Sequence, residues 1–329
     1  MVLLFTNKED AHPNLVLDIL AERGVPFFRL NTEALLTEYE FCWWADAGGC
    51  DFRITNVQTG LTLQGRDVTA VWDRRPEPPR FLPVENSEVI NEHIRKEALG
   101  FLRFLRYYLE GIPSVGSIVG DRVASSKMLQ YQVAIDCGFV IPRTVFSNRK
   151  TDFLAFFEKQ KDLCMKGIEG SGVWDEQNGR EYVFFTRKVA SQDLESIPEE
   201  AFSQTVSFVQ TYIEKAYELR VTVVGNQVFS TLIDSQRLPE YKGKEDWRQG
   251  YEEGLVFKAH ELPEAIREKC LTLVHGLGLN FACIDLIVRP DGSYVFLECN
   301  PNGQWLWIEL STGQKISAAI ADFLMNPTF

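Results

Sequence analysis

The sequence predicts a protein of mixed α/β and α+β class in three parts, and three patterns support this. A strand–helix–strand order over residues 2–30 is typical of a small parallel sheet. Helix and strand patterns alternate from residue 121 to residue 166, and further strand patterns follow as far as residue 233. Two apolar runs within residues 281–299 flank a turn signal, which predicts an antiparallel hairpin. The 329 residues, 45% of them hydrophobic, suffice for two or three domains with their own cores.

The first part is predicted to span residues 1–117. Its opening helix, at 14–23, carries apolar residues at helical spacing and is followed by Gly24, a residue that commonly ends helices. Short strand patterns follow at 41–45, 51–57, 60–64 and 69–72. A long helical pattern from about residue 88 to residue 109 closes this part.

The rest of the chain divides into a central part, residues 118–209, and a C-terminal part, residues 210–329. Helices are predicted at about 121–137, 151–160, 262–277 and 313–325. Strands are predicted at 143–147, 163–166, 181–187, 206–212, 218–224, 227–233, 281–288 and 293–299.

The composition excludes several classes of protein. The chain has 34 Lys and Arg against 46 Asp and Glu, a net charge of −12, and its longest basic run is Arg74–Arg75. A nucleic-acid binder would need a basic stripe, so nucleic acid is not an expected partner. No apolar stretch approaches the ~20 residues of a membrane span, and the N-terminus lacks the basic start of a signal peptide. The seven cysteines form no CxxC pair and mostly have apolar neighbours, which predicts buried thiols in a reducing cytoplasm rather than zinc or disulfides.

The C-terminal hairpin places acidic side chains where they need a cation. Pairing about the middle of the turn sets Asp285 directly opposite Glu298. Like charges at such cross-strand positions destabilise a sheet. Asn300 lies two residues beyond Glu298, so its side chain leaves on the same face. Two carboxylates and an amide between apolar flanks favour a hard divalent cation such as Mg²⁺ over a solvated acid pair.

Two lysines have positions expected of phosphate ligands. Lys127 lies near the start of a helical pattern, and Lys166 ends a strand pattern before the loop Gly167-x-x-Gly170-x-Gly172. Such loops present backbone N–H groups to phosphate, and a lysine adds a mobile charge. A Rossmann dinucleotide loop is disfavoured, because no clear helix follows and no acid ends a second strand about 20 residues on. Either lysine alone is also compatible with an ordinary solvated side chain.

A strand, a short break and a second strand span residues 208–225. This arrangement suits a hinge between two lobes, where backbone groups near Gln210, Tyr212 and Ile213 could pair with an adenine edge. Glu218 in the same segment could take ribose hydroxyls. An ordinary connection between strands explains the pattern equally well.

Taken in order along the chain, these patterns resemble the ATP-grasp superfamily. The order is Lys127 before Gly138-Phe-Val-Ile-Pro-x-Thr144, Lys166 before a glycine loop, Gln210-x-Tyr212-Ile213, Glu218-Leu-Arg220-Val, Asp285, and Glu298-x-Asn300-Pro. The resemblance covers residues from about 115 to the end, and the preceding residues fit the small α/β domain that such proteins carry.

A narrower resemblance, to the graspetide-maturing (microviridin-type) ligases, spans all three parts. It rests on Val-Trp72-Asp-Arg74-Arg75-Pro, Ile-Asp-Ser235-Gln236 with Asp246-Trp247-Arg248, and Asn-Pro-Asn-Gly303-Gln304-Trp305-Leu-Trp307-Ile-Glu309. Two departures, Cys299 in an often aliphatic slot and the Gly-rich loop, involve no expected ligand, although the loop's phosphate contacts stay open.

The resemblance implies an ATP-grasp fold with an N-terminal α/β domain, a central lid domain and a C-terminal domain with an antiparallel sheet. It implies an enzyme that uses ATP and Mg²⁺ to phosphorylate an Asp or Glu side chain, which a Thr or Ser hydroxyl or a Lys amine then attacks. By resemblance, the metal ligands are Asp285, Glu298 and Asn300; the ATP ligands are Lys127, Lys166, Gln210, Tyr212, Ile213 and Glu218; and the residues on the peptide side are Arg220, Ser235 and Arg248.

The resemblance also implies partners. These are the leader and core segments of a ribosomal precursor peptide, and a second copy of the chain in a homodimer. The leader is expected on a hairpin at 173–188 with its turn at Glu176-Gln-Asn178-Gly179; the alternative is that this hairpin only covers ATP. Because the chain is acidic, the expected basic residues must reverse its field within a Debye length of about 8 Å. The resemblance assigns no role to Arg74 and Arg75.

Two other functions stay open at this point. One is a ligase that joins an amino acid to a carboxylate substrate or a protein terminus. The other is a non-catalytic, nucleotide-dependent binding module, which the set Asp285, Glu298 and Asn300 disfavours. The precursor, the ring pattern and the choice of ester or amide are not readable from the sequence.

Overall fold

A computed structural model describes residues 1–85, 87–160, 162–168, 172–175, 178–238 and 243–327. Gly170 of the predicted glycine loop and Glu176 of the predicted hairpin turn lie outside these residues. Within the described ranges, none of the helices combines the length and apolar composition that crossing a bilayer requires.

The N-terminal part contains a parallel and an antiparallel sheet. Its elements are β1 (Val2–Thr6), α1 (His12–Glu22), β2 (Phe27–Asn31), α2 (Leu35–Glu38), β3 (Tyr39–Asp46), β4 (Gly49–Asn56), β5 (Thr62–Gln64), β6 (Ala70–Asp73), α3 (Glu88–Tyr108) and β7 (Ser114–Val115). The parallel sheet has the order β2-β1-β6-β7, and β3, β4 and β5 form an antiparallel meander. All five residues of β1 are buried, which explains why the strand is apolar without alternation. Gly24 adopts a left-handed φ of 69° just beyond α1, as predicted from the sequence.

The central part is built on a second antiparallel sheet. Its elements are α4 (Ile118–Ala124), α5 (Lys127–Asp136), β8 (Thr144–Ser147), α6 (Lys150–Lys159), β9 (Leu163–Lys166), β10 (Gly172–Asp175), β11 (Arg180–Val183), β12 (Arg187–Val189), α7 (Ser191–Glu195), α8 (Glu199–Ser203) and β13 (Ser207–Thr211). The sheet has the order β12-β9-β13-β8, and β10 and β11 form a separate hairpin.

Two elements of the central part differ from the sequence prediction. The single helix expected at 121–137 is two helices, because Ser126 caps the start of α5 with its hydroxyl toward Leu129 N. The single strand expected at 181–187 is also two, since β11 pairs with β10 whereas β12 pairs with β9. The chain therefore passes from one sheet to another within residues 184–186.

The C-terminal part is a five-stranded antiparallel sheet with helices. Its elements are β14 (Tyr217–Val224), β15 (Gln227–Ile233), β16 (Phe257–His260), α9 (Glu264–Gly276), β17 (Phe281–Val288), β18 (Tyr294–Asn300), α10 (Leu306–Thr312) and α11 (Ile316–Met325). The strand order is β16-β15-β14-β17-β18. The parallel sheet thus belongs to the N-terminal part, as the opening strand–helix–strand pattern predicts, whereas antiparallel sheets occur in all three parts.

Two helices pack outside the part in which they lie along the chain. Tyr131 and Ala134 of α5 belong to the core beneath the five-stranded sheet, together with Leu273 of α9. Ile320 of α11 packs with Leu17 of α1 and the parallel sheet. The boundaries at 117 and 209 remain a proposal, since these cores tie the three parts together.

A β-bulge sets the register of the β17–β18 hairpin. Beside the turn, Val288 pairs with Tyr294 and Leu286 with Phe296, and this register alone would place Asp285 opposite Leu297. One extra residue in β18 shifts the ladder, so that Asp285 pairs with Glu298. The predicted acid pair is confirmed, and the bulge rather than the turn produces it. Bulges commonly re-aim side chains next to active sites.

Candidate active site

Two cavities meet above the C-terminal sheet. The larger, about 1220 Å³, is bounded by the N-terminal part, by α4 and α5, and by the chain that follows β18. The smaller, about 120 Å³, lies between the central sheet and the C-terminal sheet. The residues that line both cavities are Lys166, Thr186, Arg220, Trp247, Arg248, Glu298 and Asn300. A molecule in one cavity can therefore meet a molecule in the other at this shared wall.

A row of charges crosses three strands at the shared wall. Arg220 of β14 lies opposite Asp285 of β17, and Asp285 lies opposite Glu298 of β18. Arg220 Nη1 donates to Asp285 Oδ2 at 3.1 Å. At the other end, Lys127 Nζ donates to Glu298 Oε2 at 3.0 Å. The carboxylates of Asp285 and Glu298 thus face each other, and each also pairs with one cation, Arg220 or Lys127.

The two carboxylates have opposite acid–base behaviour. Burial raises the pKa of Asp285 to about 7; the Arg220 guanidinium opposes this shift and Glu298 adds to it. Burial also acts on Glu298, but Lys127, Lys166 and Arg220 outweigh it and hold the pKa of Glu298 well below its ordinary value. A further positive charge beside this pair would lower the pKa of Asp285 and favour its ionised form.

The residues present fit a Mg²⁺ ion at this pair. Asn300 Nδ2 lies 3.5 Å from Glu298 Oε1, so the amide stands beside the carboxylates. Within the described part of the chain, no three His, Cys, Asp or Glu side chains cluster as metal ligands. A cation here would be held by two carboxylates and an amide oxygen, the sparse set that Mg²⁺ uses when phosphates and water complete its shell.

Lys127 is positioned by a buried glutamine one turn along α5. Gln130 Nε2 donates to Ala124 O at 2.6 Å and to Cys299 O at 2.7 Å. Its Oε1 accepts from Cys299 N at 2.9 Å. These bonds fix the start of α5 against β18, which brings Lys127 to Glu298. Gln130 was not among the residues predicted for the site, although its spacing of three from Lys127 places both on one helix face.

The two remaining cations of the shared wall differ in their partners. Lys166 makes no ion pair with any residue that the structure describes. Arg248 Nε and Nη2 donate to the two oxygens of Asp246 at 2.8 and 2.6 Å. Asp246 is buried and also caps the following 3₁₀ turn through Arg248 N. Arg248 is therefore held rigidly, whereas Lys166 keeps its charge for a ligand.

The predicted hinge residues line the smaller cavity. Gln210, Tyr212 and Ile213 all border it, and the Gln210 amide is buried with neither polar atom paired among the described residues. The N–H groups of Thr211 and Tyr212 already donate to Arg143 O and Asp162 O at 2.8 Å. A base edge would consequently use the Ile213 N–H rather than that of Tyr212. Unpaired buried polar groups of this kind commonly mark a ligand position.

Sequence comparison identifies the family. The chain matches the RimK-like ATP-grasp domain over residues 124–324, more than half of its length. It belongs to the RimK-like ATP-grasp family. Among solved structures, macrocyclase MdnC of Microcystis aeruginosa, bound with its precursor peptide MdnA, is 30% identical, covers 99% of each chain and has a TM-score of 0.84.

Two further relatives support the same assignment. A RiPP-associated ATP-grasp ligase of Chryseobacterium gregarium, solved with ADP and a leader and core peptide, is 27% identical over 100% of this chain and 97% of that chain, with a TM-score of 0.86. The tetrahydromethanopterin:alpha-L-glutamate ligase of Methanocaldococcus jannaschii is 24% identical over 238 residues, 69% of this chain and 77% of that protein. These findings confirm the ATP-grasp fold predicted from the sequence, and the chain is an ATP-grasp ligase.

Ser235 of this ligase lies away from the position expected of a peptide-side residue. Its side chain is fully buried and borders neither of the two cavities described above. Its hydroxyl donates to Glu218 Oε2 at 2.6 Å, and Lys215 Nζ donates to Glu218 Oε1 at 2.8 Å. Ser235 and Lys215 position Glu218 at the wall of the smaller cavity, which corrects the direct role expected for Ser235. Lys215, three residues before Glu218, was missed from the sequence.

The larger cavity of the ligase is strongly basic. Among the described residues that line it, seven are Lys or Arg: Arg75, Arg106, Arg122, Lys127, Lys166, Arg220 and Arg248. Only Asp121 and Glu298 are acidic. In a protein of net charge −12, the lining of this cavity thus carries a local excess of positive charge, which favours anionic ligands.

Asp121, an acidic residue in the lining of this cavity, is expected to make the stability of the protein depend on pH. Burial raises the pKa of Asp121 to about 7, against the Ser117 N–H and with the help of Asp73. Between pH 4 and 7 the folded protein therefore binds a proton that the unfolded chain lacks, so this group's contribution to stability falls as pH rises. Asn mimics the protonated form of Asp121. We therefore expect Asp121→Asn to have the same melting temperature as the wild type near pH 4, and a melting temperature a few degrees higher than the wild type at pH 8.

Thermal melts across this pH range, with Asp18→Asn on the exposed face of α1 as the control, check the expectation. A melting difference between Asp121→Asn and wild type that does not grow with pH would contradict it.

Proposed function

We propose that this ligase closes rings within a ribosomally made precursor peptide. It activates an Asp or Glu side chain as an acyl phosphate, and a Thr or Ser hydroxyl or a Lys amine attacks it to form an ω-ester or ω-amide. The shared wall between the two cavities is the observation that carries the proposal. A nucleotide in the smaller cavity and a peptide side chain in the larger one would meet at Lys166, Arg220 and Arg248.

ATP is assigned to the smaller cavity and its mouth. The adenine lies against Gln210, Tyr212 and Ile213, with the Ile213 N–H as hinge donor. Glu218 faces the ribose, and its carboxylate retains acceptor capacity beyond the bonds to Lys215 and Ser235. Lys127 and Lys166 hold the phosphates. Mg²⁺ on Asp285, Glu298 and Asn300 would supply charge neutralisation at the phosphate oxygens.

The reaction follows from the charges at the shared wall. A substrate carboxylate oxygen bonds to the terminal phosphorus of ATP, and the bond from that phosphorus to the bridging oxygen breaks, releasing ADP. The hydroxyl or amine then bonds to the acyl carbon and loses a proton, and phosphate leaves with the former carboxylate oxygen. Arg220 and Arg248 are preorganised to stabilise the negative charge of both steps.

The peptide is assigned to the larger cavity and its leader to the β10–β11 hairpin. Val173 and Tyr182 pair across this hairpin, so their side chains share one face, and both are exposed. Phe184, just beyond β11, is exposed and lines the larger cavity. This apolar face lies next to the larger cavity. It suits an amphipathic leader segment, because the core segment of the same peptide could then continue into that cavity.

This assignment predicts a selective loss of leader binding. We expect the double variant Val173→Ser/Tyr182→Ser to weaken binding of a leader peptide about tenfold, because it removes two exposed apolar anchors. ATP binding should be unchanged, since neither residue borders the smaller cavity. Calorimetric titration with each ligand separates the two effects. Equal losses of leader and ATP binding would favour a hairpin that only covers the nucleotide.

A homodimer in the cytoplasm is part of the same proposal. It derives from the resemblance to the peptide-maturing ligases. Sedimentation of the purified ligase at micromolar concentration, with and without the precursor, measures the assembly state, and a monomer under both conditions would remove this part of the proposal.

The function itself is tested by mass spectrometry. The substrate to test is the product of a short reading frame, rich in Thr and Glu or Asp, to be sought beside the gene. With ATP and Mg²⁺, the expected product has lost one water per ring, and one ADP is formed for each ring. The glutamate-ligase relative favours one alternative, addition of an amino acid to a carboxylate. A gain of residue mass would establish that alternative, and no ADP release with any peptide would indicate a binding module.

A further inference from the structure

Arg75 holds an unusual backbone conformation at the wall of the larger cavity. Among the described residues it is the one non-glycine residue with a positive φ, 50°. Side chains with a Cβ avoid this left-handed region unless the surrounding structure imposes it. Glycine would adopt the same conformation without strain. An arginine here therefore suggests that the side chain itself is needed.

The surroundings of Arg75 impose its conformation through both neighbouring parts of the chain. Asn7 Nδ2 donates to Arg75 O at 2.9 Å. The preceding Arg74 is fully buried; its Nε donates to Asp10 Oδ2 at 3.0 Å, and its Nη1 donates to Asn302 O at 3.0 Å and Gly303 O at 3.1 Å. These bonds connect the end of β6 to the chain that follows β18 and hold the backbone on both sides of the Arg75 φ angle.

This anchoring leaves the Arg75 side chain exposed toward the cavity. With the Gln304 amide oriented to present its oxygen, Arg75 Nη1 and Nη2 lie 3.0 and 3.2 Å from that oxygen. Arg75 makes no ion pair with a described carboxylate, whereas Arg74, Arg106, Arg220 and Arg248 each have one at 3.1 Å or closer. The planar fork therefore has a neutral partner that a carboxylate could replace or share.

We propose that Arg75 is a receptor for a carboxylate of the core peptide other than the one being activated. This inference rests on the proposed function. Arg75 borders the larger cavity and not the smaller one, so it is separate from the wall that nucleotide and substrate share. The cations of that wall are Lys166, Arg220 and Arg248. A second carboxylate held by Arg75 would fix which acidic side chain of the peptide reaches Arg220.

The carboxylate can come from an Asp or Glu side chain or from the peptide C-terminus. Three fluorescent probes distinguish these sources: an amidated (Thr-Glu)₅ peptide, the same peptide with a free C-terminus, and an amidated (Thr-Gln)₅ peptide. Binding is measured by anisotropy with ADP and Mg²⁺ present, so that no turnover occurs. A side-chain receptor makes the wild type bind amidated (Thr-Glu)₅ at least about tenfold more tightly than amidated (Thr-Gln)₅.

The variants are Arg75→Gln, Arg75→Gly, Gln304→Ala and the control Arg80→Gln. Arg80 lies on the same loop, is largely exposed and borders neither cavity. We expect both Arg75 variants to lose most of the acidic preference, and Arg75→Gly to melt no lower than the wild type because it relieves the positive φ. Gln304→Ala and Arg80→Gln should keep the preference.

Three outcomes would overturn the inference. The first is an undiminished preference in both Arg75 variants. The second is an equal loss in Gln304→Ala, which would make Arg75 a brace for the loop after β18. The third is a preference in the wild type for the free C-terminus alone, which would replace the side-chain receptor by a terminal one. If the neighbouring precursor is not cyclised by the wild type, the proposed function fails instead, and the binding comparison remains valid.

Discussion

Glu298→Gln is expected to abolish ADP formation while leaving the fold intact. The substitution keeps the size of the side chain and its place in β18, but removes the charge that faces Asp285 and Lys127. The proposed Mg²⁺ would lose one of two carboxylate ligands, and Lys127 would lose its partner. We expect a decrease in ADP release of about 10³ or more, above the 10²–10³ typical of one lost electrostatic contact at a reaction centre.

The measurement is a coupled ADP assay with saturating precursor, together with thermal melts. Glu264→Gln on the exposed surface of α9 is the matched control, because the one ion pair of its carboxylate among the described residues is an exposed contact with Arg267 at 3.0 Å. ADP release by Glu298→Gln within about tenfold of the wild type would contradict the metal assignment.

Arg220→Lys is expected to bind ATP almost normally and to cyclise the precursor about 10²–10³ times more slowly. Lysine keeps the charge beside Asp285 but lacks the planar fork that engages two oxygens at once. Arg220 Nη1 is bonded to Asp285, whereas its Nε is buried without a partner among the described residues. The ring centroid of Trp247 lies 5.9 Å from Arg220 Cζ, so the indole packs beside the guanidinium. Arg220 lines both cavities, which places its guanidinium where the oxygen of a reacting carboxylate or phosphate is proposed to lie.

Single-turnover cyclisation with saturating ATP measures this step, and Arg267→Lys on the surface is the control. Arg220→Ala is the harsher variant, because it leaves Asp285 buried without its ion-pair partner and should cost about 3–5 kcal/mol of stability. Near-wild-type cyclisation rates in both Arg220→Lys and Arg220→Ala would show that Arg220 has no catalytic role.

Several features of the site follow from local sequence. Asp285, Glu298 and Asn300 lie on strands whose hydrophobic pattern predicts a hairpin, and two-residue spacing places Glu298 and Asn300 on one face. Glu218 and Arg220 also share a face, as the period of a strand requires, and both border the smaller cavity. Lys127 begins a helix and Lys166 ends a strand, as expected.

Other features depend on contacts between residues that are distant along the chain. Gln130 places Lys127 through a bond to Cys299, and Arg74 fixes the conformation of Arg75 through Asn302. Ser235 resembles a peptide-side residue by motif, but the fold buries it beneath Glu218. The local sequence does not show whether a serine hydroxyl is buried or faces a cavity. That depends on which residues, distant along the chain, pack against the serine.

The sequence by itself determined the mixed fold class, the family resemblance and the charged residues that line the shared wall, Lys166, Arg220, Arg248 and Glu298, because these depend on residue type and short-range spacing. The tertiary structure decided how those residues meet. The bulge at Leu297 sets Asp285 against Glu298, the chain crosses between sheets at 184–186, and Arg75 is forced into a left-handed backbone at the cavity wall. Each depends on the balance of many long-range hydrogen bonds and packing contacts, which the folded chain satisfies together and a local pattern does not encode.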